Sequence, residues 1–247
     1  MKGLVTIYRW FMAMTIMTIT GSISLILVMV SFGHLRNFCV QYIIKYSSRI
    51  ILRIMGFKSR YPNLNQFPKY QVLYTFNHNA YMDVFLLTGL GVPNLRFVLS
   101  EKTWGYIPLV ISALAAGTCY IPQKKHVKRR LNFFLRTTRF LQQTNYSIAA
   151  ASEGVHSHFH GIAPFNRGIY HMALEAKIPI VPLYIHIPEE NNMFTIKYAK
   201  NGTIAIEILE EIPTDKWTLE NLDNHINDVR NVFVERFNQL NPNNKTE

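Results

Sequence analysis

From Trp10 to Leu35 the chain carries no Asp, Glu, Lys or Arg. Met, Ile, Leu and Val dominate the stretch, with several Thr and Ser among them. An apolar run of this length can cross the hydrocarbon core of a bilayer as a helix. Trp10 at one edge and His34 and Arg36 at the other suit the two interfaces. Ser31-Phe32-Gly33 is a poor cleavage site, and the run is too long for the apolar core of a signal peptide. The expectation is an uncleaved transmembrane anchor, single-pass or monotopic. Arg36, Lys45, Arg49 and Arg53 make the following flank the richer in positive charge. The positive-inside tendency then puts the rest of the chain on the cytoplasmic side.

Membrane contact agrees with a hydrophobic content of 49% over 247 residues. The formal net charge is +11. Nucleic acid, an anionic bilayer surface or an anionic substrate would each account for it. The sequence has no zinc-finger spacing, no glycine-aromatic RNA-binding signature and no heptad run, so nucleic acid is not the expected partner. Cys39 and Cys119 lie in apolar surroundings without a partner motif and read as buried free thiols.

Phe38–Phe57 has the pattern of an amphipathic helix, apolar at Val40, Ile43, Ile44, Ile51, Leu52 and Met55. Its basic side, Lys45, Arg49 and Arg53, faces either anionic headgroups or solvent. Gly56 would end it, and Tyr61–Pro68 reads as a linker. The anchor and amphipathic helix therefore occupy residues 1–60, and a second unit occupies 61–247. Short apolar runs then alternate with helical stretches. Strands are expected at 70–76, 96–99, 117–121, 146–151, 178–185, 193–198 and 203–209. Helices are expected at 84–90, 109–116, 126–143, 168–176 and 219–237. That alternation predicts an α/β fold, a mixed sheet flanked by helices with a late antiparallel portion. Thr103–Gln123 is uncharged, but Gly105, Pro108 and Gly117 argue against a second span. It reads as buried or partly embedded.

At the first strand-to-helix junction stands Asn77-His78-Asn79-Ala80-Tyr81-Met82-Asp83. An imidazole supported by a carboxylate can take a proton from a hydroxyl. Within one helix, residues five apart point about 140° from each other. The pair therefore works only with His78 in the turn and Asp83 in the first helical turn. Spacing alone leaves open a loop histidine and an unrelated helix-start aspartate.

Three later stretches belong beside this one: Gly117–Lys125, Ala151–Ser157 with Glu153-Gly154 at its centre, and Ile178-Pro179-Ile180-Val181-Pro182-Leu183. Phe165-Asn166-Arg167-Gly168 lies between the last two. In this order the set resembles the glycerolipid acyltransferase family, and the lysophosphatidate acyltransferases in particular, over Tyr70–Leu209. The resemblance implies that His78 is the general base and Asp83 the acid that orients it. It also implies that Glu153 and Gly154 help to hold the acceptor, and that Pro179, Val181 and Pro182 belong to the fold and the acyl-donor pocket. The implied reaction is attack of a lysolipid hydroxyl on the thioester of acyl-CoA or acyl carrier protein. It has no covalent enzyme intermediate and needs no metal or organic prosthetic group.

The phosphate clamp departs from the family pattern. Gln123 and His156 stand where the family has arginines, Val155 where it has threonine, and Ser152 where it has proline. An arginine fork grips phosphate bidentately, and Lys acts as a point charge. Two readings remain. Either Lys124, Lys125 and Arg167 take over the anion, or the acceptor is another lysolipid. The basic run from Lys124 through Arg130, continued by Arg136 and Arg139, is a solvated helix face or a patch for anionic lipid or an acidic acyl carrier. Two rival classes stay open. His156, His158 and His160 alternate and could bind a metal in a membrane-anchored hydrolase. A scaffold that kept the fold and lost the chemistry is the other, although His78, Asp83 and Glu153 are all retained. Acyl transfer measured after chelation should equal transfer before it. Loss of transfer on chelation, restored by added zinc, would favour the histidine cluster.

Overall fold

A computed structural model describes residues 2–77, 82–154, 161–188 and 201–242. Among the described residues seven strands form one sheet in the order β1-β7-β6-β2-β5-β3-β4. They are β1 (Phe57–Arg60), β2 (Leu73–Phe76), β3 (Leu95–Ser100), β4 (Cys119–Ile121), β5 (Ser147–Ala151), β6 (Ile180–His186) and β7 (Gly202–Ile208). Pairing is parallel throughout except between β6 and β7. The sheet is therefore mixed and its antiparallel portion comes late, as the sequence pattern predicts. The strand expected at 193–198 lies outside the described residues.

The helices are α1 (Lys2–Val30), α2 (Arg36–Phe38), α3 (Lys45–Ile54), α4 (Asp83–Leu90), α5 (Ile107–Ala116), α6 (Val127–Gln143), α7 (Arg167–Ala176) and α8 (Leu222–Leu240). A π-helical stretch, Cys39–Ile44, joins α2 to α3. The period-two alternation of the central strands divides the core. Tyr74, Phe76, Ala149, Val181, Leu183 and Ile185 pack with α1, α3 and α4 on one face. Leu73, Ile148, Ala150, Ile180 and Tyr184 pack with α6, α7 and α8 on the other. Buried on both faces, β2 and β6 are nearly continuous apolar runs, as central parallel strands are.

α1 is 29 residues long, and Gly3–Val30 is long and apolar enough to cross a membrane. Ala13, Met17 and Ser24 are buried against the protein, whereas Leu4, Tyr8, Phe11, Ile19, Ile23, Ile26 and Val30 are exposed along the other side. The hydroxyls of Thr15, Thr18, Thr20 and Ser24 each donate to the carbonyl four residues back, at 2.8–2.9 Å. The helix therefore keeps these polar atoms satisfied without outside partners. At Gly21 an added Cβ would stand 2.4 Å from Ser112 Oγ, so α1 and α5 touch through small residues. α5 has only ten residues, about 15 Å of helix and half a bilayer core. Thr103–Gln123 is thus a 3₁₀ turn, a short helix and a strand rather than a span.

Two expectations about the N-terminal part change. β1 lies before residue 61 and pairs with β7, so the sheet reaches back across the boundary drawn there. Phe-Lys-Ser-Arg is too short and polar to announce itself as a strand, which an edge position tolerates. Some of the basic flank also serves the fold. Arg49 Nε donates to the Gly89 carbonyl at 2.8 Å and covers the Tyr61 ring. Arg36 donates to the carbonyls of Leu114 and Ala115, both at 3.1 Å. Buried Arg96 donates to Ala116 at 2.7 Å and stacks on Tyr146. These guanidiniums satisfy the orphan carbonyls at the ends of α4 and α5 and complement their dipoles.

Gly117 ends α5 at φ +72°, and a Cβ there would lie 2.3 Å from Arg96 Nη1 and 2.6 Å from Arg36 Nη1. Left-handed backbone costs a side chain about 1–2 kcal/mol, and a displaced buried bond adds about 1–3 kcal/mol. Gly117→Ala should therefore lower stability by about 2–5 kcal/mol, read as a shifted denaturation midpoint in detergent. An unmoved midpoint would contradict this account of the α5 terminus.

Candidate active site

β6, β2, β5, β3 and β4 run in one direction, so their carboxyl ends emerge along a single edge. Asn77 follows β2, Glu101 follows β3, Pro122-Gln123-Lys124 follows β4, and Ser152-Glu153-Gly154 follows β5. β2 and β5 are adjacent, with Phe76 opposite Ala151. From β2 the chain goes to α4 on one face, and from β5 to α7 on the other. This is a topological switch point, where open α/β sheets form their ligand crevices. His78 is two residues past Phe76 in the chain, and Glu153 is two past Ala151.

Asn77 is fully buried. Its Nδ2 donates to the Ile185 carbonyl at 2.9 Å and its Oδ1 accepts from the Ile185 N–H at 2.7 Å. The carboxamide thus pairs with β6 as another ladder residue would, and fixes the chain one residue before His78. His78 itself lies outside the described residues. Asp83 is the first residue of α4 and is 1% exposed. A helix N-terminus favours a carboxylate, and this is the first-turn placement that the His78–Asp83 reading requires.

Ser152 and Glu153 are buried. The Ser152 N–H donates to the Phe76 carbonyl at 3.0 Å, tying the block to β2. Its hydroxyl contacts Thr75 Oγ1 and accepts from the Tyr170 hydroxyl at 3.1 Å, and Tyr170 lies 3.2 Å from Thr75 Oγ1. Burial pushes the Tyr170 phenol far above its ordinary range, so the cluster is uncharged. Ser152 therefore exchanges the family's proline for a satisfied buried hydroxyl. Asn166 accounts for the next turn: its N–H donates to the Ser152 carbonyl at 2.8 Å, and its Nδ2 bonds the carbonyls of Ser152 and Glu153. Gly154 has φ +68°, with Asn166 Nδ2 2.6 Å from where a Cβ would be. Only glycine suits that turn.

Lys124 and Lys125 are exposed in the turn after β4. Glu101 organises the turn, accepting from Gln123 N–H at 3.0 Å and from Arg129 Nη2 at 2.7 Å. The Gln123 amide first, then Arg129 and His126, hold its carboxyl below the usual range. Arg167 opens α7, but its guanidinium binds Asp223 Oδ2 at 2.5 Å and the Leu219 carbonyl at 3.1 Å. Of the three expected phosphate-binding cations, the two lysines are the ones without such an ion pair among the described residues. His156, His158 and His160 lie outside the described residues. Cys119 is half-buried, and burial pushes its thiol up despite nearby Arg96. A 370 Å³ cavity bordered by Phe67, Tyr70, Val181 and Glu211 lies at the opposite edge, where β2 and β6 begin.

Sequence reasoning passed over Glu101, Thr75 and Tyr170. The Asn166 clamp left one sign, a polar residue directly before a helix, but its partners are carbonyls of another segment.

A family model described as Acyltransferase matches residues 58–186, from β1 to the end of β6. The chain belongs to the acyltransferase family. It is 22% identical over 174 residues to a 1-acyl-sn-glycerol-3-phosphate acyltransferase of Cocos nucifera, covering 69% of this chain and 55% of that one. To the protein of the same name from Haemophilus influenzae it is 24% identical over 153 residues, 62% of each chain. The chain thus spans 55–62% of the length of these curated relatives. The crystal structure of the 1-acyl-sn-glycerophosphate acyltransferase PlsC from Thermotoga maritima superposes with a TM-score of 0.77 at 15% identity, covering 97% of this chain and 98% of that one. The two share a fold.

Asn77→Leu keeps bulk and removes both bonds to Ile185. It should cost about 2 kcal/mol or more, because buried backbone groups lose partners. The check is the denaturation midpoint beside that of Asn77→Asp, which keeps the acceptor. Equal midpoints for wild type and Asn77→Leu would contradict the clamp.

Proposed function

We propose that this chain transfers a fatty acyl group from a thioester, acyl-CoA or acyl carrier protein, to the free hydroxyl of a lysophospholipid. The favoured acceptor is 1-acyl-glycerol-3-phosphate, giving phosphatidate. The observation that carries the proposal is that Asn77, directly before His78 in the chain, and Ser152–Gly154 stand at adjacent ends of β2 and β5. The names of the relatives support the acceptor class.

In this mechanism His78 takes the proton of the acceptor hydroxyl as its oxygen attacks the thioester carbonyl. Asp83, buried at the start of α4, orients the imidazole and stabilises its charged form. The tetrahedral intermediate collapses, the C–S bond breaks, and the thiolate takes the proton back from His78. The products are the ester and a free thiol. Glu153 and Gly154 help to hold the acceptor. Lys124 and Lys125 meet its phosphate, and Arg167, the third cation, is held by Asp223. α1 anchors the enzyme in the membrane that supplies the acceptor, with the sheet on the cytoplasmic side.

His78→Ala and Asp83→Asn should each lower turnover by about 10²–10⁴-fold, the scale of general-base catalysis. The assay uses a lysolipid panel and labelled acyl donor, with circular dichroism confirming the fold. Near-normal turnover in folded His78→Ala protein would rule out the proposed base.

A further inference from the structure

We propose that the outer face of α6 docks a small acidic protein that carries the acyl thioester, an acyl carrier protein. The proposal rests on the acyl-transfer reading above and names the donor's route to the site. Val127, Leu131 and Leu135 are 72%, 59% and 58% exposed. At four-residue spacing they form one stripe along the helix. Lys128 and Arg139 are exposed beside that stripe, and Arg136 follows them around the helix. Among the described residues none of these three cations has an ion pair. Exposed aliphatic side chains rimmed by one sign of charge mark a docking surface. A solvated helix would gain nothing from the leucines.

Position selects the occupant. α6 begins directly after the Lys124-Lys125 turn, on the edge where the candidate site opens. It packs on the face of the sheet opposite to α1. A bilayer that takes the apolar outer side of α1 lies across the sheet from α6, which leaves this basic stripe to the aqueous phase. An acidic helix of a soluble protein complements it in charge and in its apolar centre. A thioester arm from such a partner would reach the sheet edge without crossing the domain.

The test uses the full chain in detergent and palmitoyl-loaded acyl carrier protein. Binding is followed by anisotropy of the labelled carrier, and vesicles of phosphatidylcholine with phosphatidylglycerol are tested in parallel. The variants are Lys128→Glu with Arg139→Glu, and Leu131→Gln with Leu135→Gln, all at exposed positions outside the candidate site. Each pair should weaken carrier binding by about tenfold, leaving vesicle binding and the kinetics with acyl-CoA unchanged. Wild-type binding should also weaken with salt, as steering between opposite charges does. Carrier binding that ignores both pairs would overturn the proposal. So would a loss confined to vesicle binding, which would make lipid the occupant. Carrier binding that responds as expected, in a chain that transfers from neither donor, would uphold the docking face and refute the acyltransferase reading.

Discussion

The parallel pairing of β6, β2 and β5 is the constraint on which the candidate site depends. Parallel strands need crossovers, and each crossover leaves from the same edge. The Asn77 and Ser152–Gly154 stretches are far apart in the chain, yet the register of Phe76 with Ala151 and Leu183 sets their strands level. One side chain and one backbone amide then extend the ladders past the strands. The Asn77 carboxamide continues the pairing with β6, and the Ser152 amide continues that with β5. Asn77 and Ser152, the neighbours of the proposed site residues, are thus held on a rigid base.

The same economy governs the helix ends. α4 and α5 finish among buried residues, and arginines from distant segments meet carbonyls of their last turns. Where such a cation approaches the backbone, as at Gly117, a side chain cannot fit. α1 belongs to this arrangement as well. One side packs on α5 through Gly21 and the other presents Ile, Leu and Phe outward, a face suited to an apolar phase.

Much of this was legible in the sequence, and the exceptions have a common cause. Central strands and amphipathic helices follow from local periodicity. Asp83 falls in the first turn of α4, one residue before the helix expected at 84–90. β1 escaped because an edge strand of four residues needs no apolar pattern. Arg36 and Arg49 were visible as charges, but their partners are carbonyls on helices far along the chain. Ser152 was visible as a departure from family pattern. Its meaning required Thr75 and Tyr170, which only the fold brings to it. Arg167 entered as a phosphate ligand by its position in a motif, and its bond to Asp223 on α8 comes from tertiary packing alone.

The proposed mechanism makes one catalytic unit of the ends of β2 and β5. A double-mutant cycle on kcat/KM with His78→Ala and Glu153→Gln tests it most directly. Residues that act on one bound acceptor are non-additive. The double variant should then be little worse than His78→Ala alone. Full additivity of the two losses would show that the two strand ends act independently, and would contradict it.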